Sequence, residues 1–299
     1  VLLMTQKITQ LEIARFDADA SGKAVVFEGN VAGSETDRKI IYYQKEGGHM
    51  YQSDLTGSSQ EKISNLTIIG LFEAKWSPKR DRAVTFYIDI DDVKSFLRVG
   101  TSSVTSLARN IKSLDWSPDG SEFAYLTEGD EIHYPSLVIA SANGAKTTMM
   151  ANIPIFDANV SWVSANIIAL QTAPSGLAPG SLFTYARSTR ILKRIAGPKN
   201  GLTSFWSPDG AYVWVSFTDY KGKNPATEIY TSNGRVYREQ SQIALLPDKC
   251  VWVDASEVYC AIPMSISGNA VLPDDYLRGD LWTTDRLVAF NLKENIGRY

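Results

Sequence analysis

Histidine is nearly missing from this chain of 299 residues, which has only His49 and His133. Also absent are a Gly-x-Ser-x-Gly elbow, a His-Glu-x-x-His pair and a glycine-rich phosphate loop, so triad, zinc-protease and nucleotide chemistry lack their usual residues and no cofactor is expected. His49 adjoins Gly47-Gly48 at a turn and His133 precedes Tyr134-Pro135, so both read as surface or loop-packing residues. Cysteine is equally scarce. Cys250 and Cys260, without a nearby histidine or a second cysteine pair, cannot complete a tetrahedral zinc shell, and no metal site is expected. No apolar run approaches the roughly 18 residues of a membrane span, and the opening Val-Leu-Leu-Met is too short for a signal-peptide core. The expectation is a soluble chain, compatible with a processed leader or anchor ahead of it. A formal charge of −3 with scattered Lys and Arg gives no basic stripe for phosphates, which argues against nucleic acid as a partner.

What the chain has is apolar and aromatic material, at 44% and 11% of residues, enough for a large core. It also has a repeat. Lys75-Trp76-Ser77-Pro78, Asp115-Trp116-Ser117-Pro118-Asp119-Gly120 and Phe205-Trp206-Ser207-Pro208-Asp209-Gly210 are copies of one motif, each followed by an alternating strand at 83–88, 122–127 and 212–217. Ser161-Trp162-Val163 and Val251-Trp252-Val253 are degenerate copies before strands at 167–172 and 257–262. The anchors Trp76, Trp116, Trp162, Trp206 and Trp252 are therefore spaced 40, 46, 44 and 46 residues apart, the period of stacked supersecondary units.

Proline presets φ and Asp-Gly supplies the angles of a tight corner, so Ser-Pro-Asp-Gly predicts a hairpin turn. The tryptophan before it ends the first strand and is placed to pack between neighbouring sheets. Third strands end at Asn143-Gly144, Ser188 and Asn233-Gly234, and short outer strands follow at 146–150 and 191–195. Four strands per period make a propeller blade.

These motifs resemble the repeats of the TolB-type propeller family, which is related to the propellers that accompany prolyl-oligopeptidase-like peptidases. The resemblance runs over nearly the whole chain. The last repeat, with Lys249-Cys250-Val251-Trp252, Tyr259-Cys260-Ala261 and Leu272-Pro273-Asp274-Asp275, is similar to bacterial envelope propeller proteins of undefined activity. It implies an all-β propeller of four-stranded blades forming one domain over 1–299. Six blades are expected, or seven if the natural chain continues beyond Tyr299. Strands at 23–29, 39–44, 49–55 and 61–65 would form the first blade. Residues 8–17 would be the fourth strand of the last blade, closing the ring and hiding two edges.

If Trp252 lies opposite Val258, the two cysteines are also opposed, with Cβ atoms at roughly 4.5–5.5 Å, within adjustment of a disulfide. The alternative is a pair of buried thiols filling core space. An oxidised pair would place the chain outside the cytoplasm, in the periplasm or on the cell surface, as the resemblance also implies.

The acidic cluster Asp89, Asp91, Asp92 suggests a hard cation but lacks the glycine and terminal glutamate of an EF-hand loop, and it reads as a solvated connection. The stronger candidate is the long insertion 263–284, which combines aromatic anchors and charges in Asp274, Asp275, Tyr276, Arg278, Asp280 and Trp282. A plain strand connection packed over one face is its competing reading. A second loop, 217–227, carries Tyr220 and Lys221, and a third, 172–181, is rich in Pro, Gly and Ala. The sequons at Asn65 and Asn159 are too short to assign.

These readings favour a non-catalytic interaction or scaffold module at the cell envelope with a protein partner. Two alternatives stay open: an accessory propeller of a peptidase-like hydrolase whose catalytic part lies elsewhere, and a glycan-binding module.

Overall fold

The repeated motif folds as the corner its chemistry dictates. Ser117 N–H donates to Glu122 O at 2.9 Å, Glu122 N–H donates back to Ser117 Oγ at 3.0 Å, and Gly120 N–H closes the turn on Ser117 O at 2.8 Å. Gly120 has φ 64°, which glycine adopts without steric cost. Asp119 accepts the Ser117 hydroxyl at 2.6 Å and Ser121 N–H at 3.0 Å. These bonds, that of Ser117 foremost, hold its carboxyl down at about 2. Ser207, Asp209, Gly210 and Tyr212 repeat the arrangement, with Ser207 donating to Asp209 at 2.6 Å. In the copy at 77–82 Arg80 takes the left-handed position with φ 61°, and Asp81 accepts from Ser77 at 3.0 Å.

The computed structural model describes residues 12–13, 29–32, 39–44, 47–54, 59–90, 92–101, 103–107, 110–130, 132–241, 245–292 and 296–298. They form two compact units, Val1–Phe156 and Asp157–Tyr299. In the first unit β1 (Glu12–Ile13), β2 (Gly29–Ala32), β3 (Lys39–Tyr43), β4 (Met50–Asp54) and β5 (Gln60–Lys62) make an antiparallel sheet in chain order. A second sheet holds β6 (Leu71–Trp76), β7 (Arg82–Asp89), β8 (Asp92–Val99) and β9 (Ser103–Ser106). A third holds β10 (Ile111–Trp116), β11 (Glu122–Thr127), β12 (Ser136–Ser141) and β13 (Thr147–Asn152).

The second unit has a seven-stranded sheet of β14 (Ala158–Ser164), β15 (Ile167–Thr172), β16 (Pro179–Ala186), β17 (Ile191–Trp206), β18 (Tyr212–Thr218), β19 (Ala226–Thr231) and β20 (Val236–Ser241). It is two meanders joined by β17, whose Asn200 pairs with Pro179 on one side and with Thr218 on the other. The last sheet contains β21 (Cys250–Trp252), β22 (Glu257–Pro263), β23 (Asp285–Asn291) and β24 (Ile296–Arg298), with a short helix α1 (Asp274–Leu277) between β22 and β23.

Trp116 and Trp252 pack where neighbouring sheets meet. Buried Trp116 lies edge-on to Phe123 at 5.1 Å, a geometry that adds about 0.5–1.5 kcal/mol to burial alone, and its indole N–H donates to Lys75 O of the preceding sheet at 2.9 Å. Trp252 stacks on Phe205 at 5.6 Å and meets Trp214 edge-on at 6.1 Å, joining the last sheet to β17 and β18. Arg98 is buried where the first two sheets of its unit pack, donating to the Tyr43 hydroxyl at 3.0 Å and to Thr101 O at 2.7 Å. Phe123, Ala124, Tyr125 and Leu126 on β11 are all buried rather than alternating, because a second strand in such a sheet is covered on both faces. Burial falls away at the fourth strand, and all of β9 is exposed.

The N-terminal expectation needs correction. Of residues 8–17, Glu12 and Ile13 pair with β2 in the first sheet, and the rest lie outside the described residues, as do 23–28. The fourth place in the last sheet belongs to β24, which pairs with β23. A strand only a few residues beyond β23 reaches that free edge with a far smaller loop-closure cost than one from the other end of the chain.

Candidate functional site

The three loops singled out in the sequence all lie in the second unit, each joining the second and third strands of a meander: β15 to β16, β18 to β19 and β22 to β23. They are fastened to one another. Asp219 starts the second loop by accepting Lys221 N–H and Lys223 N–H, each at 2.9 Å, which holds its exposed carboxyl below the usual range and bends the chain towards Gly222 at φ 71°. Gly222 O then accepts Leu272 N–H of the third loop at 2.9 Å, and the Lys223 ammonium donates to Ala270 O.

Asp274 and Asp275 serve this framework. Asp274 accepts the Ser175 hydroxyl at 2.9 Å and Gly176 N–H at 2.6 Å, tying α1 to the first loop. Asp275 accepts Val271 N–H at 2.7 Å and pairs with Arg278, which also donates to Asp280 at 2.9 Å; the two carboxylates, Asp280 foremost, raise the guanidinium pKa. Tyr276 turns inward and is buried with Leu246 and Leu272. Lys249 donates to Thr283 and, at 2.6 Å, to Asp285, with its ammonium 5.3 Å from the Tyr276 ring centre.

The remaining candidates face water. Trp282 is 80% exposed, Tyr220 72%, Leu177 66% and Met264 65%. Lys221 lies 5.2 Å from the Tyr220 ring centre. Single exposed apolar residues are ordinary; these four lie on mutually fastened loops.

Ser175 and Gly176 drew no attention in the sequence beyond the composition of their loop. A Cβ on Gly176 would lie 2.3 Å from Leu272 O and 2.7 Å from Gly222 Cα, so only glycine lets the three loops approach this closely. The first and third loops border a cavity of about 150 Å³ whose lining includes Asn159, Gln171, Ser204, Asp248 and Tyr276.

The other candidates lie apart from this cluster. Cys250 and Cys260 are paired across β21 and β22 and joined by a disulfide, with Trp252 opposite Val258. Asp89 pairs with Lys94, and Asp91 lies outside the described residues. His133 and Asp130, both exposed, meet at 3.0 Å, and His49 Nδ1 lies 3.2 Å from Leu66 O. Among the described residues no group of three or more His, Cys, Asp or Glu side chains is placed to hold a metal ion, and no helix is long and apolar enough to cross a membrane.

No family model matches the chain, and no curated protein matches it in sequence. Solved structures do. A prolyl endopeptidase matches 95% of this chain at 12% identity with a TM-score of 0.61, over 43% of its own length. A TolB protein from Agrobacterium tumefaciens matches 68% of this chain at 14% identity with a TM-score of 0.50, over 75% of its own length. TolB from Acinetobacter baumannii is matched over 67% of this chain at 16% identity with a TM-score of 0.48, and the chain spans half of its length. The fold is thus all-β, and its neighbours are propeller proteins. They are of the TolB and prolyl-oligopeptidase-like type.

Proposed function

We propose that the chain is a single six-bladed β-propeller over 1–299 that works as a non-catalytic protein-interaction module outside the cytoplasm. The observation carrying this reading is the loop cluster of the second unit. Its carboxylates and glycines are spent on fastening backbone to backbone, which pre-organises a surface, while Trp282, Tyr220, Leu177 and Met264 remain available to a partner. The disulfide and the TolB neighbour support an envelope or surface location.

The test is capture from the native cell envelope with the intact protein and with a Trp282→Ala/Tyr220→Ala variant, both exposed positions whose loss leaves the fold intact. A partner recovered by the intact protein and lost by the variant is the expected result. Equal recovery by both would reject the surface. A glycan array that lights up with the intact protein would instead support the glycan-binding alternative.

A second reading, an accessory propeller of a peptidase-like hydrolase, is favoured by the prolyl endopeptidase match across 95% of this chain. Peptidase activity in protein purified from its native source, absent from residues 1–299 alone, would support it.

A further inference from the structure

We infer that the cavity bordered by the first and third loops takes one basic side chain of a partner peptide, its charged end meeting Asp248 and its aliphatic stem lying against the surrounding prolines. The biological setting rests on the interaction-module reading; the chemistry comes from the cavity alone. At about 150 Å³ it has room for one benzene-sized group, hence for a single side chain.

Its lining is built for a cation with an apolar stem. Pro174, Pro247 and Pro273, with Leu277 and Tyr276, supply apolar wall. Asn159, Gln171, Thr203 and Ser204 add neutral polar groups, and the Ser204 hydroxyl already donates to Gln171 Oε1 at 2.7 Å. No lysine or arginine lines the cavity.

Asp248 is its one charged lining residue and, among the described residues, has no hydrogen-bond or ion-pair partner. The neighbouring cation, Lys249, is balanced by Asp285 at 2.6 Å and leaves Asp248 unpaired. An anion entering here would meet the Asp248 carboxylate and no cationic side chain to offset it. A lysine or arginine side chain would lay its methylenes on the walls and keep its charge at the carboxylate near the mouth.

The test uses the side-chain fragments themselves on the intact protein. Side-chain amide NMR signals of Gln171 and Asn159 are followed during titration with n-butylammonium, n-butylguanidinium, n-butanol, butyrate and methyl α-glucoside. The two cations should shift these signals, with n-butanol bound about fivefold more weakly, the factor a single exposed ion pair supplies. Asp248→Asn should remove that factor and leave n-butanol unchanged, while Asn159→Trp, from an exposed position at the cavity, should abolish binding of all of them.

Equal binding of n-butanol and n-butylammonium, an unchanged cation affinity in Asp248→Asn, tighter binding of butyrate or the glucoside, or no shift with any probe would each overturn the assignment. Because no partner is needed, failure of the capture experiment with fragment binding intact would reject the interaction reading and leave the pocket standing. The reverse outcome would reject the pocket alone.

Discussion

Gly176 and Asp274, 98 residues apart in sequence, meet through a hydrogen bond of 2.6 Å from the glycine N–H to the aspartate carboxylate. That contact, with the Ser175 hydroxyl on the other oxygen, makes α1 part of a fastened cluster rather than a tip swinging from β22 and β23.

Replacing Asp274 by alanine removes two bonds to a charged acceptor and leaves the Gly176 amide without its partner. The expected loss is about 1.5–3 kcal/mol, with faster hydrogen exchange at Gly176 and Leu272. Exchange rates unchanged from the parent protein would show that the loops hold together without this link.

Gly176→Ala tests the same junction by size. Gly176 has no positive φ, so the backbone tolerates alanine and the whole effect comes from the added methyl meeting Leu272 O. Overpacking of this kind costs about 1–3 kcal/mol, read as a lower denaturant midpoint with an unchanged slope. A midpoint equal to that of the parent would mean that the loops part easily.

Reduction of the Cys250–Cys260 disulfide releases a cross-link between residues ten apart, and loop-closure entropy puts its contribution at about 2–3 kcal/mol. Unfolding with and without a reductant should differ by that amount. The double Cys250→Ser/Cys260→Ser variant should lose more, since a hydroxyl replaces the buried Cys260 sulfur. Coincident curves for oxidised and reduced protein would sink the prediction.

Asp119 supplies a pH dependence of known sign. Its folded pKa, about 2, lies below its ordinary 3.8 because the Ser117 hydroxyl and Ser121 groups donate to the ionised form. Its contribution is therefore complete above pH 3.8 and lost as pH falls through about 2, and solvent screening at this exposed corner keeps it below about 1 kcal/mol. Carboxyl NMR titration should find Asp119 near 2 in the parent and raised in Ser117→Ala; a parent value at 3.8 would refute the corner network.

Much of the architecture was legible because local chemistry specifies it. Ser117, Pro118, Asp119 and Gly120 encode their own turn, and Trp116 marks the strand end that faces a neighbouring sheet. The opposition of Cys250 and Cys260 followed from strand register alone. What escaped depended on distant partners. Nothing local in 191–206 announces one strand serving two meanders, and nothing near Glu12 says which sheet it joins.

The candidate site divides in the same way. Loop length and composition pointed to 263–284, and Trp282 and Tyr220 do face water. The roles of Asp274 and Tyr276 were not legible, because each is decided by a contact across the fold, Gly176 for Asp274 and Leu246 for Tyr276, whereas Asp275 closes its own loop on the Val271 amide four residues back. Asp248 carries no signature either, since its significance lies in lacking a partner.

β17 has a mechanical consequence. Because Asn200 is a register partner in the ladders on both its sides, pulling either meander of the second unit away from the other must disrupt a continuous strand rather than open a linker. The two meanders should share a single rupture event under force, and no protease cut between them should be available until both have given way.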